Sequence, residues 1–308
     1  MKKSLRQMKL VSSTSFGASA FSLVEISIVV LIISIVMAGM LKASSLIPKS
    51  RLKSAQTLTQ NSPVKDISGL AMWYETSLPD SFIVTEALDG TAISTWYDNN
   101  PNAVVKNNAT QAVVANQPIF YDNIFNYGLP AIRFDGSNDY MTFDGTALTN
   151  TSYAIFVVEQ RRSNGSNNYF MGGSSTSAYA NLILGYLSNS ELRHSHYTDQ
   201  LLYSSIPSYA NPTPRIHTFI FNNLGGTSAS GKRYWLNGSG SSSTTNASDA
   251  LQITPITSYA GSAIGRAFSH YFNGDIAEII IFSRNLTTQE RLGIESYLGK
   301  KYGVKVAQ

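Results

Sequence analysis

The hydrophobic pattern divides the chain into two unlike stretches. From Phe21 to Leu41 the residues FSLVEISIVVLIISIVMAGML run apolar for 21 positions, with one charge at Glu25. At ~1.5 Å per residue such a helix is about 30 Å long, matching the hydrocarbon core of a bilayer, so the pattern predicts a transmembrane segment over 21–41. Leu46, Leu52, Ala55 and Leu58 continue an apolar helical stripe towards Gln60. Pro48 is expected to kink it and Asn61-Ser62-Pro63 to end it.

From residue 66 onward the period shortens. Apolar runs of four to nine residues recur between Gly-, Asn- and Ser-rich turns: 70–74, 93–97, 131–134, 140–143, 152–160, 181–186, 191–197, 215–222, 233–236, 262–265 and 275–282. This spacing predicts a β-sandwich. Ile279 to Phe282 do not alternate with polar residues, as expected of a strand buried on both faces. Only the end reads as a helix, opened by Thr287-Thr288-Gln289-Glu290 and closed at Gly299 or Gly303. The fold expected is mainly β, with a long N-terminal transmembrane α-helix ahead of a sandwich head that ends in a short C-terminal helix.

Composition narrows the chemistry. There is no cysteine, which excludes disulfides, thiolate zinc sites and a Cys nucleophile. The net charge of +4 is unevenly placed: residues 1–60 hold eight Lys or Arg and one acid, whereas residues 61–308 hold 15 basic and 18 acidic side chains. The head is therefore mildly acidic, which argues against a phosphate-tracking surface and a nucleic-acid partner. Arg161-Arg162 and Lys232-Arg233 are local basic pairs, read as solvated turn or strand-end residues.

The small residues Ala18-Ser19-Ala20 precede the apolar run, whereas a signal-peptidase site follows it. An acid near one end of an apolar span is costly and points to function. Gly17 through Glu25, GASAFSLVE, resembles the processing site of type IV prepilins. That resemblance implies cleavage between Ala20 and Phe21 by a prepilin peptidase, N-methylation of Phe21, and an assembly role for Glu25, paired with the freed amine of a neighbouring pilin or pseudopilin subunit. Ala20 stands where the family has Gly. The implied organisation is a leader over 1–20, a transmembrane segment over 21–41, a helix continuation and linker over 42–65, and a head over 66–308. The implied location is the inner membrane as a single-pass precursor with a periplasmic head, then an assembled filament.

Several phrases of the head resemble concanavalin A-like, laminin G-like jelly rolls: Ser94-Thr95-Trp96-Tyr97-Asp98, Leu129 to Gly136, Asn138-Asp139-Tyr140, and Phe272 to Phe282 with the helix that follows. The function expected is a minor pilin or pseudopilin displaying a lectin-like head for adhesion to a glycan or surface protein. The alternatives are a membrane-tethered carbohydrate-active enzyme and a DNA-uptake pilin.

The head carries no Glu-x-Asp-x-x-Glu strand of the glucanases on this fold, no G-x-S-x-G elbow and no H-E-x-x-H helix; the expectation is no enzymatic activity. His194 and His196 share one strand face and could contribute to a metal site, with Tyr197 or Asp199 as further ligands. Asp135, Asn138, Asp139 and Asp144 are candidates for Ca²⁺, set against a turn-bracing role; no cofactor is otherwise expected. Among the aromatics, Tyr179, Tyr186, Tyr197, Tyr203 and Tyr209 are the candidates for a sugar-stacking platform. N-terminal mass analysis of the protein from its native cell tests the processing reading: the expected chain starts at Phe21 and carries one methyl group, and an uncut chain overturns it.

Overall fold

The computed structural model describes residues 22–204, 206–223, 231–240, 243–245 and 254–307. The chain forms two compact units, residues 1–46 and 47–308. Helix α1 (Leu23–Gln60) starts in the first. Its N-terminus is capped reciprocally: the Ser22 hydroxyl accepts from the Val24 N–H at 3.3 Å, and the Glu25 carboxylate accepts from the Ser22 N–H at 2.8 Å. Both bonds satisfy amides that a helix leaves open.

The transmembrane expectation is corrected: among the described residues no helix is long and apolar enough to cross a membrane. Past Ile47 the helix turns polar. The inner-membrane single-pass location loses its basis with the span.

In the second unit the end of α1 packs on the head through Leu52, Ala55 and Leu58, the predicted stripe. Pro48 lies inside the helix, which ends at Gln60 as expected, ahead of the turn Pro63–Asp66.

Two sheets form the head. One holds β1 (Leu70–Glu75), β2 (Thr91–Ala92), β5 (Ile119–Phe125), β6 (Leu129–Asp135), β8 (Tyr153–Arg161), β13 (Arg215–Phe221), β14 (Lys232–Leu236), β15 (Ser239–Gly240) and β20 (Asn273–Phe282). The other holds β3 (Thr95–Trp96), β4 (Ala109–Thr110), β7 (Met141–Thr142), β9 (Asn168–Gly172), β10 (Leu182–Tyr186), β11 (Leu192–His196), β12 (Gln200–Tyr203), β16 (Ser243–Thr245) and β17 (Ala263–Ile264). A hairpin of β18 (Arg266–Ala267) and β19 (His270–Tyr271) adjoins β9. Among the described residues all strand pairs are antiparallel, and the predicted mainly β sandwich with a short C-terminal helix is what forms.

The inter-sheet core contains Trp96, Phe134, Ile155, Phe170, Leu184 and Phe219. The outer face of the first sheet is covered as well. Trp73, Phe156 and Ile280 meet Ala55 of α1 and Ile294, Leu298 and Tyr302 of helix α2 (Thr288–Tyr302). This explains the non-alternating run in β20, whose two faces both lie in core. Helix α2 opens with the capping box read from Thr287 and Glu290 and closes at Gly303 in the left-handed conformation, φ 69°.

Under α2 two acids sit side by side. Glu75 and Glu278 are direct cross-strand partners between β1 and β20, an arrangement that is destabilising for like charges. The Lys301 Nζ resolves it by donating to both carboxylates at 2.8 Å. Glu278 also accepts from Trp73 Nε1 at 2.7 Å and from the Tyr297 and Tyr302 hydroxyls at 2.9 Å. Glu75 accepts from the Ser77 and Ser81 hydroxyls at 2.6 and 2.7 Å.

Burial alone would raise the Glu75 carboxyl, but the Lys301 charge and the hydrogen bonds bring it below its ordinary 4.5. Burial alone would lower Lys301, but Glu278 and Glu75 hold it well above its ordinary value. Glu75 thus contributes stability that is present above pH 4.5 and lost as pH falls through its folded-state pKa. The Lys301 contribution is present below its unfolded pKa of about 10.4 and lost as pH rises through its folded value. Lys301→Met leaves two carboxylates facing each other in a dry site and is expected to cost about 3–5 kcal/mol in urea unfolding. A loss under about 1 kcal/mol would show that the pair is solvated.

Candidate functional site

Strand alternation sorts the second sheet into two chemistries. On β10 and β11 the side chains of Leu182, Leu184, Tyr186 and Leu192 enter the inter-sheet core, and His194 and His196 lie there against Phe219 and Phe221. The residues between them, Ile183, Arg193, Ser195 and then Tyr197, take the outer face. Register aligns them: Ile183 pairs with Ser195, which pairs with Gln200, while Tyr169, Gly185 and Arg193 follow one another across three strands.

Gly185 makes that row work. Its φ is +146°, and a Cβ there would stand 2.6 Å from Tyr169 Cα. With no side chain between them, Arg193 reaches over β10 and donates from Nη1 to the Tyr169 hydroxyl at 3.1 Å. The Tyr169 hydroxyl in turn donates to Asn167 Oδ1 at 2.7 Å.

Next to this pair lies a cavity of about 250 Å³ lined by Ile183, Arg193, Ser195, Tyr197, Thr198 and Gln200. Its rim is aromatic. Phe268 packs edge-on to Tyr197 at 5.6 Å, and His270 packs edge-on to Tyr169 at 6.1 Å. The Tyr179 N–H donates to the Tyr197 carbonyl at 3.1 Å.

The backbone here is strained. Four described residues other than Gly and Asn have positive φ: Tyr127, Tyr179, Thr198 and Phe268. Three of these four border the cavity or its rim. A β-branched or bulky residue in the left-handed region costs on the order of 1–3 kcal/mol, and such strain gathers at functional sites.

Two other clefts are less suited to a ligand. A depression of about 480 Å³ is lined by Asn123, Asn126, Tyr127, Gln160 and Pro212, among others. Two of its amides are engaged, Asn126 by Arg51 and the Lys301 carbonyl and Gln160 by Asp275. The groove of about 570 Å³ along Glu25 to Val30 is an apolar helix surface.

The histidines read as metal ligands are not free to bind one. The Nε2 atoms of His194 and His196 both share hydrogen bonds with the Tyr153 hydroxyl at 2.7 Å, and His196 Nδ1 bonds the Thr254 carbonyl at 2.8 Å. Tyr197 lies on the opposite face, and Asp199 pairs with Lys232 Nζ at 2.8 Å. Burial first, then the Lys232 charge, holds both imidazoles well below their ordinary pKa, so they are neutral inside the fold.

The four Ca²⁺ candidates brace turns. Asp135 Oδ1 accepts from the Ser137 and Asn138 N–H groups at 2.8 and 3.2 Å, and Asp139 Oδ2 accepts from the Asp135 N–H at 3.0 Å. Asn138 Nδ2 donates to the Ala115 carbonyl at 2.6 Å, and Asp144 accepts from the Thr146 N–H at 2.9 Å. Burial, then the Asp135 charge, raises Asp139 to about 6. Among the described residues no three His, Cys, Asp or Glu side chains come together as a metal site.

Of the five tyrosines proposed as a platform, Tyr197 lines the cavity and Tyr179 braces it, while Tyr186 and Tyr203 are core residues. Tyr209 lies elsewhere, with its N–H on Asn189 Oδ1 at 2.9 Å. Arg193, Gln200 and Tyr169 were not singled out by sequence. The alternation in Leu192-Arg193-His194-Ser195-His196 was the available signal, because it sets Arg193 and Ser195 opposite the histidines. Ala20 and Phe21 lie outside the described residues.

No family model and no curated protein matches this chain. Among solved structures, the chain is similar to a Trypanosoma rangeli sialidase in complex with 2,3-difluorosialic acid as a covalent intermediate. The two are 12% identical with a TM-score of 0.50, and the match covers 83% of this chain and 39% of the sialidase. Domain 4 of an extracellular GH43 arabinanase from Geobacillus stearothermophilus, in complex with arabinotriose, gives a TM-score of 0.47 at 14% identity, over 76% of this chain and 98% of that domain. A CBM40 of a Ruminococcus gnavus IT-sialidase, bound to α2,6-sialyllactose, gives 0.42 at 11% identity, over 54% and 95%. At such identities the likeness is one of fold, and this chain spans about two-fifths of the sialidase's length.

The expectation of no enzymatic activity is corrected by the same finding. This fold occurs within a chain that is a glycosidase, so the lack of one glucanase motif excludes nothing.

Tyr153→Phe deletes the hydroxyl that two buried imidazoles share. The expected loss is about 1–3 kcal/mol for each nitrogen left unpaired, measured by denaturant unfolding. Because both histidines have depressed folded-state values, the unfolded chain binds more protons below their ordinary pKa of 6.5. The wild-type thermal midpoint should therefore decline as pH falls below that value.

Proposed function

We propose that the head recognises carbohydrate on the outer face of its second sheet. The observation that carries this reading is the cavity beside Tyr197, where an aromatic ring and an aliphatic wall, Ile183, stand next to the Ser195 and Thr198 hydroxyls, the Gln200 amide and the Arg193 guanidinium. A sugar ring offers a C–H face and a girdle of hydroxyls, and these groups complement both. The cavity is small and shallow, suited to one ring at a chain end or branch rather than a long polymer. The fold shared with the sialidase supports a carbohydrate-directed role.

A second proposal rests on the prepilin-like residues 17–25. Glu25 reaches back to the Ser22 N–H at 2.8 Å, so its carboxylate sits one residue from where cleavage before Phe21 would free an amine. We propose processing by a prepilin-type peptidase and pairing of Glu25 with the amine of another pilin-like subunit.

The carbohydrate reading is tested by calorimetry of the purified chain with neutral and acidic oligosaccharides. Tyr197→Ala is expected to weaken the bound sugar by about tenfold, the scale of one lost aromatic contact. Equal binding by the variant, or no sugar bound by folded protein, overturns the assignment.

A further inference from the structure

A groove runs along the solvent side of α2. One depression of about 240 Å³ lies between α2 and the end of α1, walled by Leu58, Pro63 and Lys300. A second of about 230 Å³ shares Ser296 and Lys300 with it and extends to Val304 and Val306. A Cβ built on Gly293 would meet only Pro63 Cγ, at 3.9 Å, so the first depression is open beside that residue. Ser62 also lines it, and the Ser62 hydroxyl is buried without a hydrogen-bond partner. No Asp or Glu lines either depression, whereas Lys300 lines both. Lys300 is exposed, and among the described residues it forms no ion pair. On the flanks, the exposed Lys65 and Lys305 outnumber Asp66.

The loop between β1 and β2 has the complementary chemistry. Val84 is 80% exposed and Leu88 59%, although both are apolar. Asp80, Glu86 and Asp89 accompany them, and the chain holds no Lys or Arg from residue 66 to 105. Asp89 Oδ1 accepts from the N–H of the exposed Asp122 at 3.1 Å, which puts a second acid beside the loop. Burial, then the Asp89 charge, raises the Asp122 carboxyl above its ordinary value. Among the described residues none of these four acids has an ion-pair partner. Val104 and Val105 are exposed too, but Lys106 adjoins them and no acid does.

We propose that the groove along α2 receives the 83–89 loop of a second copy of this chain. Val84 and Leu88 would enter against Leu58, Pro63, Val304 and Val306, with Asp89 and Asp122 facing Lys300. The occupant is chosen by shape and sign together: an apolar knob ringed by unpaired acids, and an apolar groove marked by an unpaired cation, occur on one chain. The two halves lie on different elements, so the contact is head to tail and leaves a free loop on one copy and a free groove on the next. It is independent of the carbohydrate reading, whose cavity lies on the other sheet.

The test is sedimentation velocity of the purified full chain over a range of concentrations. One non-ionic detergent is used throughout, to cover the exposed apolar residues from Leu23 to Met37. Val84→Ser removes the knob and Gly293→Leu fills the groove; thermal unfolding shows that each variant is folded. The wild type is expected to self-associate, and either variant to do so about tenfold more weakly or less, the scale of one apolar side chain kept from burial. Mixed in equal amounts, the variants regain one intact contact, the loop of Gly293→Leu in the groove of Val84→Ser, and should pair more tightly than either does alone. Raising the salt to about 1 M should weaken the wild-type association. A wild type that stays monomeric, association unchanged in both folded variants, or a mixture no better than its components overturns the proposal. Indifference to salt removes the charge match and with it the choice of occupant.

Discussion

One ammonium group organises the helical side of the head. Glu75 and Glu278 face each other on neighbouring strands, and without a cation between them that register would be repelled. Lys301 arrives from the last turn of the C-terminal helix. The site is dry, and every oxygen of both acids has a donor from Lys301, Trp73, Tyr297, Tyr302, Ser77, Ser81 or the nearby backbone. A buried ion group of this kind contributes little net stability over an apolar replacement, but it tolerates very few arrangements. It therefore fixes where α2 lies on the first sheet. The Thr59 and Tyr297 hydroxyls, 3.2 Å apart, tie the end of α1 to the same place.

One face of the first sheet is covered by helices and the other by the second sheet, whose outer face carries the cavity beside a small cluster of Tyr169, Ile183 and Ala267. The period of two along β10 and β11 decides what that surface carries. Leu182, Leu184, Tyr186, Leu192 and the imidazoles go inward, and Ile183, Arg193, Ser195 and Tyr197 go outward. The inward histidines reinforce this division, since neutral imidazoles bonded to Tyr153 are compatible with a core that would reject their charged form. A similar arrangement joins Glu159, Tyr186 and His217 a few residues along, with bonds of 2.7 Å from Tyr186 and His217 to the same carboxylate oxygen. Inner polar networks of this type favour one packing of the two sheets and so keep the outer residues in register.

Tight turns finish the site. Thr198, Tyr179 and Phe268 hold left-handed backbone conformations that Gly or Asn would adopt at less cost. Thr198 lines the cavity, Phe268 packs on Tyr197, and the Tyr179 N–H donates to the Tyr197 carbonyl. The strain is offset by the packed sheet beneath, which leaves the aromatic rim in one arrangement rather than several.

Much of this was legible in the residues alone. The strands 70–74, 152–160, 181–186, 215–222 and 275–282 followed from short apolar runs between turn residues, and the Thr287 cap with Gly303 bounded the last helix. Strand β5 escaped notice because Asp122 and Asn123 interrupt its pattern where its pairing with β6 shifts register. The apolar run after Phe21 gave a helix, but among the described residues no helix is long and apolar enough to cross a membrane. What the sequence could not decide was adjacency. That Arg193 lies over Gly185 beside Tyr169, that Lys301 stands between two acids more than 200 positions apart from each other, and that His194 and His196 meet one hydroxyl rather than a metal are consequences of sheet order and register. Local chemistry sets the elements, because hydrophobic period and turn residues act over a few positions. Long-range pairing alone sets which side chains meet.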